Sequence, residues 1–231
     1  MTSIRKSKEK KVDLGKPPKK DVHFIESLKE VLKNHKSELI TFGEIMTKLK
    51  EEGLIFLIAM ISFPTAIPIP TPPGFTTLFG IPLCILTIQM VYRLDAPWLP
   101  VWLSTKKLKV STFDKFVHRA EPVFNKLSGF LKPRYQYFTT QSMERIVGVL
   151  AFLCSLSIAL PILFGNAIPS AGILIMSIGL LYKDGLTVCI GMVVSVIGLI
   201  IATIVVVMVS FLGLEVLEKI ISTQIIEKIP F

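Results

Sequence analysis

An uncharged stretch runs from Leu54 to Tyr92, and its centre holds five prolines and a glycine between Pro64 and Gly74. No other feature constrains the fold as much. A soluble core helix of this length would carry a polar face, and a simple membrane span would not be broken at its middle. Each proline removes a backbone donor and resists helix, so irregular backbone is placed at or near membrane depth. Such backbone persists there only when it is buried in protein or lines a polar cavity. The arm Leu54–Phe63 is shorter than the roughly twenty residues needed to cross a hydrocarbon core, and Phe75–Tyr92 is close to that length. The pair therefore reads as a helical hairpin, re-entrant or short, with two full crossings as the alternative. Either way both ends emerge on the same side.

Charge and hydropathy are segregated along the chain. The 231 residues carry a net charge of +9, with 51% hydrophobic residues, and mean hydropathy is +0.62. The stretches Leu54–Tyr92, Ile146–Tyr182 and Leu186–Leu214 nevertheless hold no Asp, Glu, Lys or Arg. This pattern predicts an all-α integral membrane protein with basic aqueous segments. The three cysteines, Cys84, Cys154 and Cys189, all lie in apolar surroundings and read as packing residues, giving no disulfide framework and no metal spacing.

Met1–Asp21 is lysine-rich and lacks the apolar core of a signal peptide, so a disordered basic tail is expected. From Val22 to about Glu52 the periodicity is helical. Phe24, Ile25, Leu28, Val31 and Leu32 share one face, and Leu39, Ile40, Ile45, Met46 and Leu49 form the apolar positions of a second run. Thr41 followed by Glu44 has the spacing of a capping box. Tyr92, Trp98 and Trp102 have the composition of interface anchors. A further amphipathic helix is expected around Phe113, Phe116, Val117, Ala120, Phe124 and Leu127.

The block after Ile146 is also broken, over Leu160–Ser170. Ser62–Ile69 is similar to Ser157–Ile162, Gly80-Ile81-Pro82 to Ala167-Ile168-Pro169, and Tyr92-Arg93-Leu94-Asp95 to Tyr182-Lys183-Asp184. An internal repeat is therefore expected, the first copy over about 22–105 and the second over about 106–214, within one membrane domain. Leu186–Leu214 is long enough for one full transmembrane helix, with Gly185, Gly191 and Gly198 permitting close helix contact. A short tail, 215–231, follows. Basic segments on both sides of the first block place residues 1–53 and 93–145 in the cytoplasm, giving a multi-pass protein with a cytoplasmic N-terminus.

The Pro-rich first block, Gly74, Gly80-Ile81-Pro82, Gln89, Pro97-Trp98-Leu99-Pro100 and Lys183-Asp184-Gly185 together resemble the ExoD family over roughly Phe24 to Leu212. That family comprises bacterial inner-membrane proteins named for a role in exopolysaccharide synthesis. The resemblance implies a link to synthesis or export of surface polysaccharide and supplies no catalytic residues. By architecture alone, paired re-entrant hairpins are also similar to the DedA superfamily, which implies lipid or ion movement.

Candidate sites follow from polar groups inside apolar blocks. Thr71, Gly74, Gln89, Asn166 and Ser170 are candidates for a cavity or substrate site where the two broken hairpins meet, as in transporters with discontinuous helices. Burying Gln89 or Asn166 without a partner would be costly. Arg93 with Asp95, and Lys183 with Asp184, sit at corresponding hairpin exits and are candidates for gating or proton relay. No catalytic set, metal cluster or cofactor motif falls in the apolar blocks, and all three histidines lie in aqueous segments, so neither an enzyme nor a nucleic-acid binder is expected. Expected partners are membrane lipids, with anionic headgroups at the basic cytoplasmic face, polysaccharide-export machinery, and a second copy of the chain. Two functions compete: a transporter of an ion, lipid or lipid-linked precursor, and a non-transporting scaffold of a polysaccharide assembly complex. Transport predicts that Gln89 and Asn166 face a wetted cavity; a scaffold predicts sensitivity around Phe24 and Phe116.

Overall fold

A computed structural model describes residues 23–33, 35, 37–68, 72, 74–94, 97–160 and 166–227. Thr71 and Asp95, like the basic tail Met1–Asp21, lie outside the described residues. The described chain is mostly helical, in the order α1 (His23–Lys33), β1 (Leu39–Thr41), α2 (Phe42–Ala66), α3 (Phe75–Tyr92), α4 (Val101–Ser104), β2 (Lys107–Lys109), α5 (Val110–Phe130), a 3-10 turn (Gln136–Thr139), α6 (Gln141–Ala159), α7 (Ala167–Leu181) and α8 (Gly185–Glu227).

Each break in the sequence becomes a helix end, though not always at the residue where proline first appears. Helix α2 begins at the Thr41 N-cap, where Thr41 and Glu44 exchange side-chain and backbone hydrogen bonds as a capping box. It bends at Lys50, whose φ of 51° is non-helical, and so turns from its amphipathic start into the apolar arm. It then continues through Pro64 to Ala66. Proline has no proton to give the Met60 carbonyl, and the hydroxyls nearby bond other carbonyls of the same turns: Ser62 Oγ donates to the Ala59 carbonyl and Thr65 Oγ1 to that of Ser62. The break itself falls between Ala66 and the Gly74 N-cap of α3, where φ is +86° and glycine carries no Cβ penalty.

Helices α2 and α3 form one hairpin and α6 and α7 another. The two pack crosswise, α3 against α6 and α2 against α7. Helix α8 runs antiparallel to α7 in close contact. A Cβ added at Gly191 would lie 2.6 Å from Met176 N, and one at Gly198 would lie 2.5 Å from Pro169 N. Gly172 of α7 sits as tightly against Ser195 of α8. By length and composition α3, α6 and Gly185–Phe211 of α8 are able to cross a membrane, whereas α7 is shorter. Helix α8 does not stop where charge resumes at Glu215 but continues to Glu227, through residues expected to form a short tail.

A cap of α1 and α5 covers one end of this bundle. The apolar face foreseen for α1 is buried at Phe24, Ile25, Leu28 and Val31. Phe24 packs on Phe56 of α2 and Phe124 of α5, at ring separations of 4.8 and 5.6 Å. Phe124 stacks in turn on Tyr182, whose hydroxyl donates to the Phe124 carbonyl. One correction to an all-α reading is the antiparallel ribbon of β1 and β2, which pairs Leu39, Ile40 and Thr41 with Lys109, Leu108 and Lys107. Leu39 and Ile40 thus belong to a strand and not to an amphipathic helix. Two three-residue strands carry too little alternation to be told from helix ends by pattern.

The α7–α8 contact leaves no room for side chains at its glycines. Gly172→Leu is expected to lower the thermal unfolding midpoint of the detergent-purified protein by several degrees, as overpacking of about 1–3 kcal/mol requires. Gly129→Ala, where an added Cβ meets nothing within 4 Å, is expected to be neutral or to stabilise by about 0.5–1 kcal/mol.

Candidate functional site

The two hairpins leave the bundle through the same cap. Arg93 after α3 and Lys183 after α7 both adopt left-handed φ, 55° and 52°. In each case the basic residue donates three residues back, to Met90 O or Leu180 O, and the next residue donates five back, to Gln89 O or Gly179 O. These are Schellman-type ends built on lysine or arginine where glycine is usual. A cation there also favours the negative end of the helix dipole.

The two exits are then used differently. Arg93 ties three helices: Nη2 lies 3.4 Å from Glu51 of α2, and Nη1 donates to Gln141 of α6 at 3.0 Å. Its Nε is buried with no hydrogen-bond partner among the described residues. Glu144 lines the same small cavity, with Leu54, Ile55, Met90 and Leu94. Lys183, by contrast, is exposed, and its neighbour Asp184 is fully buried. Asp184 accepts from Arg134 Nε (3.1 Å), the Leu186 N–H (3.2 Å) and Thr187 Oγ1 (3.0 Å), so it caps α8 and docks the chain before α6. Burial acts to raise the Asp184 carboxyl, but the hydrogen bonds from Arg134 and Thr187, the Arg134 charge and the Leu186 N–H outweigh it and hold the group below its ordinary range. Gly185 completes this joint: its N–H donates to Arg134 O at 2.8 Å, and a Cβ there would strike the Tyr135 carbonyl.

Gln89 belongs to the same half of the bundle. Its Oε1 accepts from the Trp98 N–H and its Nε2 donates to the Trp98 carbonyl at 3.2 Å. Both amide atoms are therefore engaged in holding the Trp98 backbone, about one helical turn inside Arg93. Gly74 is exposed at the opposite end, and a Cβ there would meet nothing.

Asn166 and Ser170 lie together at the turn end of the second hairpin. Asn166 is the N-cap of α7, but its side chain does not cap it. Its Nδ2 reaches back to the last carbonyls of α6, Ile158 O (3.4 Å) and Leu160 O (3.1 Å). Thr77 Oγ1, in the first turn of α3, donates to Ala159 O at 2.9 Å. Three terminal carbonyls of α6 are thus satisfied by side chains from the neighbouring helices. Among the described residues Asn166 Oδ1 and Ser170 Oγ remain buried with no hydrogen-bond partner, in residues only 3% and 0% exposed. An unfilled amide acceptor and a free hydroxyl beside a helix N-terminus can take a water, a ligand hydroxyl or a cation. Ser62, Thr65 and Thr77 add hydroxyls near the same end of the bundle, and of these only Thr77 forms a bond to the second hairpin. Among the described residues no group of three or more His, Cys, Asp or Glu is placed to hold a metal.

Of the residues singled out by sequence, Asn166 and Ser170 are therefore brought together. Gln89, Arg93, Lys183 and Asp184 gather at the far end instead. Sequence reasoning missed Glu51, Gln141, Glu144 and Arg134, all of which lie in charged segments where nothing distinguishes a network member from a solvated side chain.

The family model described as "Exopolysaccharide synthesis, ExoD" matches residues 24–204. An uncharacterized protein of Synechocystis, slr1875, is 27% identical over 165 residues, which is 71% of this chain and 77% of that one. Protein ExoD of Rhizobium meliloti is 25% identical over 167 residues, 71% of this chain and 69% of that one. No solved structure matches.

The two joints make separable predictions. Gln89→Leu leaves the Trp98 N–H and carbonyl unpaired and is expected to lower stability in detergent by about 1–3 kcal/mol without preventing membrane insertion. Asp184→Ala removes a helix cap and is expected to cost about 1–2 kcal/mol. The folded Asp184 carboxyl titrates below its unfolded value, so its contribution is complete above the ordinary aspartate range and is lost as pH falls through the depressed value. A pH series of unfolding midpoints is expected to fall at that acid end in the wild type and to flatten in Asp184→Asn.

Proposed function

From membership of the ExoD family, to which this chain belongs, we propose that the protein supports exopolysaccharide synthesis from within the bacterial cytoplasmic membrane by moving an ion, a lipid or a lipid-linked precursor between its two broken hairpins. The observation that carries this reading is the pair of unpartnered buried oxygens, Asn166 Oδ1 and Ser170 Oγ. In an apolar bundle each is expensive unless something else binds it.

Helix lengths support placing that pair inside the bilayer. At 1.5 Å per residue the uncharged run Leu186–Leu214 of α8 is about 43 Å long, and the hairpins accompany it only to about Ala202, roughly 25 Å. From Thr203 to Phe211 its side chains are mostly exposed. With the interface at the level of Trp98, the hairpin turns lie about 20 Å into a hydrocarbon core of about 30 Å. They are re-entrant in this reading, and only α8 crosses. The shared exits of α3 and α7 and the crosswise packing of α3 on α6 and α2 on α7 support an internal duplication. Its register differs from the sequence similarity: Pro82 stands eleven residues before Arg93, and Pro169 fourteen before Lys183. Arg93, held by Glu51 and Gln141, closes the seam between the hairpins at the cytoplasmic end.

Cysteine accessibility tests this reading. Single cysteines replace Asn166 or Ser170 in a background lacking Cys84, Cys154 and Cys189, with Ser142→Cys as the aqueous control and Leu153→Cys as the lipid-facing one. Labelling of both sites by a small water-soluble thiol reagent is expected, together with loss of exopolysaccharide in Asn166→Leu cells that retain normal protein levels. Labelling confined to Ser142→Cys would describe a dry, packed centre and leave the scaffold reading in its place.

A further inference from the structure

A second surface is built where the chain turns back after α3. Trp98, Val101 and Trp102 are 60%, 76% and 67% exposed. Val101 and Trp102 open the short α4 and Trp98 lies in the non-helical segment just before it, while Pro97 is buried and Leu99 and Leu103 are half-buried. This apolar face is not a loose loop. The Trp98 backbone is clamped by Gln89 at both its N–H and its carbonyl. On the other side Phe42 N donates to Lys106 O and Val110 N to Glu38 O, joining the segment to the β1–β2 ribbon. The clamp also sets the height of the face, one turn inside the α3 exit and alongside a helix that exposes Ile85 and Ile88 outward.

Three lysines follow at once. Lys107 and Lys109 project from the outer side of β2 with Leu108 between them turned inward, and Lys106 precedes them. No ion pair engages any of the three among the described residues. We propose that Trp98, Val101, Trp102 and the lysines 106, 107 and 109 form an interfacial wedge that binds anionic phospholipid headgroups of the leaflet at the hairpin exits. The two indoles suit the boundary between acyl chains and headgroups, and the ammonium groups beside them suit phosphate. A soluble polyanion would leave the indoles in water, and a zwitterionic headgroup would leave the lysines without their counter-charge. This site is independent of whether the hairpins transport anything.

Trp98 and Trp102 are the only tryptophans of the chain, so intrinsic emission reports on this wedge alone. The experiment uses the full chain in nanodiscs of phosphatidylcholine with and without phosphatidylglycerol, with acyl chains brominated at shallow or deep positions. Blue-shifted emission is expected, quenched more by shallow than by deep bromine and shielded from iodide. Emission quenched by iodide and insensitive to brominated lipid would overturn the proposal, since the face would then stand in water. Spin-labelled lipids test the lysines. A preference for phosphatidylglycerol over phosphatidylcholine is expected, falling by roughly fivefold for each lysine replaced in Lys106→Gln, Lys107→Gln and Lys109→Gln. An unchanged preference in the triple variant, with the quenching depth retained, would remove the headgroup site.

Discussion

A helix broken inside an apolar bundle leaves backbone groups that only the protein can satisfy, and the fold is arranged around that requirement. Helix α6 ends with its last carbonyls facing neighbours and not water. Thr77 from the first hairpin and Asn166 from the start of α7 donate to Ala159, Ile158 and Leu160. One of those bonds joins the two hairpins, so the end of one helix is completed by the beginning of another. The close backbone contacts elsewhere serve the same constraint. An added Cβ on Gly80 would meet the backbone of Ile158 and Ala159, so α3 approaches α6 closely enough for Thr77 to reach. Without a hydrophobic drive between helices in lipid, packing and such hydrogen bonds carry the association.

The opposite end is held by a different kind of interaction. Charge returns at Arg93 and Lys183, and each chain reversal is capped by a residue that bears a cation in left-handed backbone. The exits diverge after that. Asp184 turns inward to cap α8 and hold Arg134, whereas Arg93 turns its guanidinium across the bundle to Glu51 and Gln141. Arg134 remains 45% exposed, so its attraction to Asp184 is partly screened, and the joint is also held by the Asp184 cap on α8 and the close packing at Gly185. The Arg93 network is the less completely satisfied of the two, since its buried Nε has no partner among the described residues.

What the sequence made legible was periodic or local. The Phe24 face, the Thr41–Glu44 capping box, the glycines of α8 and the matching hairpin exits are all read from spacing alone, because each is fixed by residues a few positions apart. The Gln89–Trp98 clamp and the Arg134–Asp184 joint were not legible. Gln89 and Trp98 are nine residues apart across a chain reversal, and Arg134 and Asp184 are separated by fifty. Polarity in an apolar block marked Gln89 as special but gave no means of telling a ligand contact from a backbone clamp. Proline was read as ending α2 at once, yet the helix runs three residues further, through Pro64 to Ala66. Phe24, on the face read as apolar, is fully buried against Phe56 and Phe124.

Depth connects the two ends. The Gln89 clamp fixes the height of Trp98 relative to α3, and α3 fixes the height of Thr77 relative to the end of α6. In the proposed reading, a wedge seated at the headgroups sets how far into the bilayer Asn166 and Ser170 lie, through the Gln89 clamp, α3 and the Thr77 bond to Ala159. Past Ala202 the described side chains of α8, from Thr203 to Phe211, are mostly exposed. The hairpins can then shift against α8 only by breaking the glycine contacts with α7, and the seam at Arg93 is crossed by the Arg93–Gln141 hydrogen bond and the close approach of Gly148 to Val91, the Glu51 pair lying within the first hairpin.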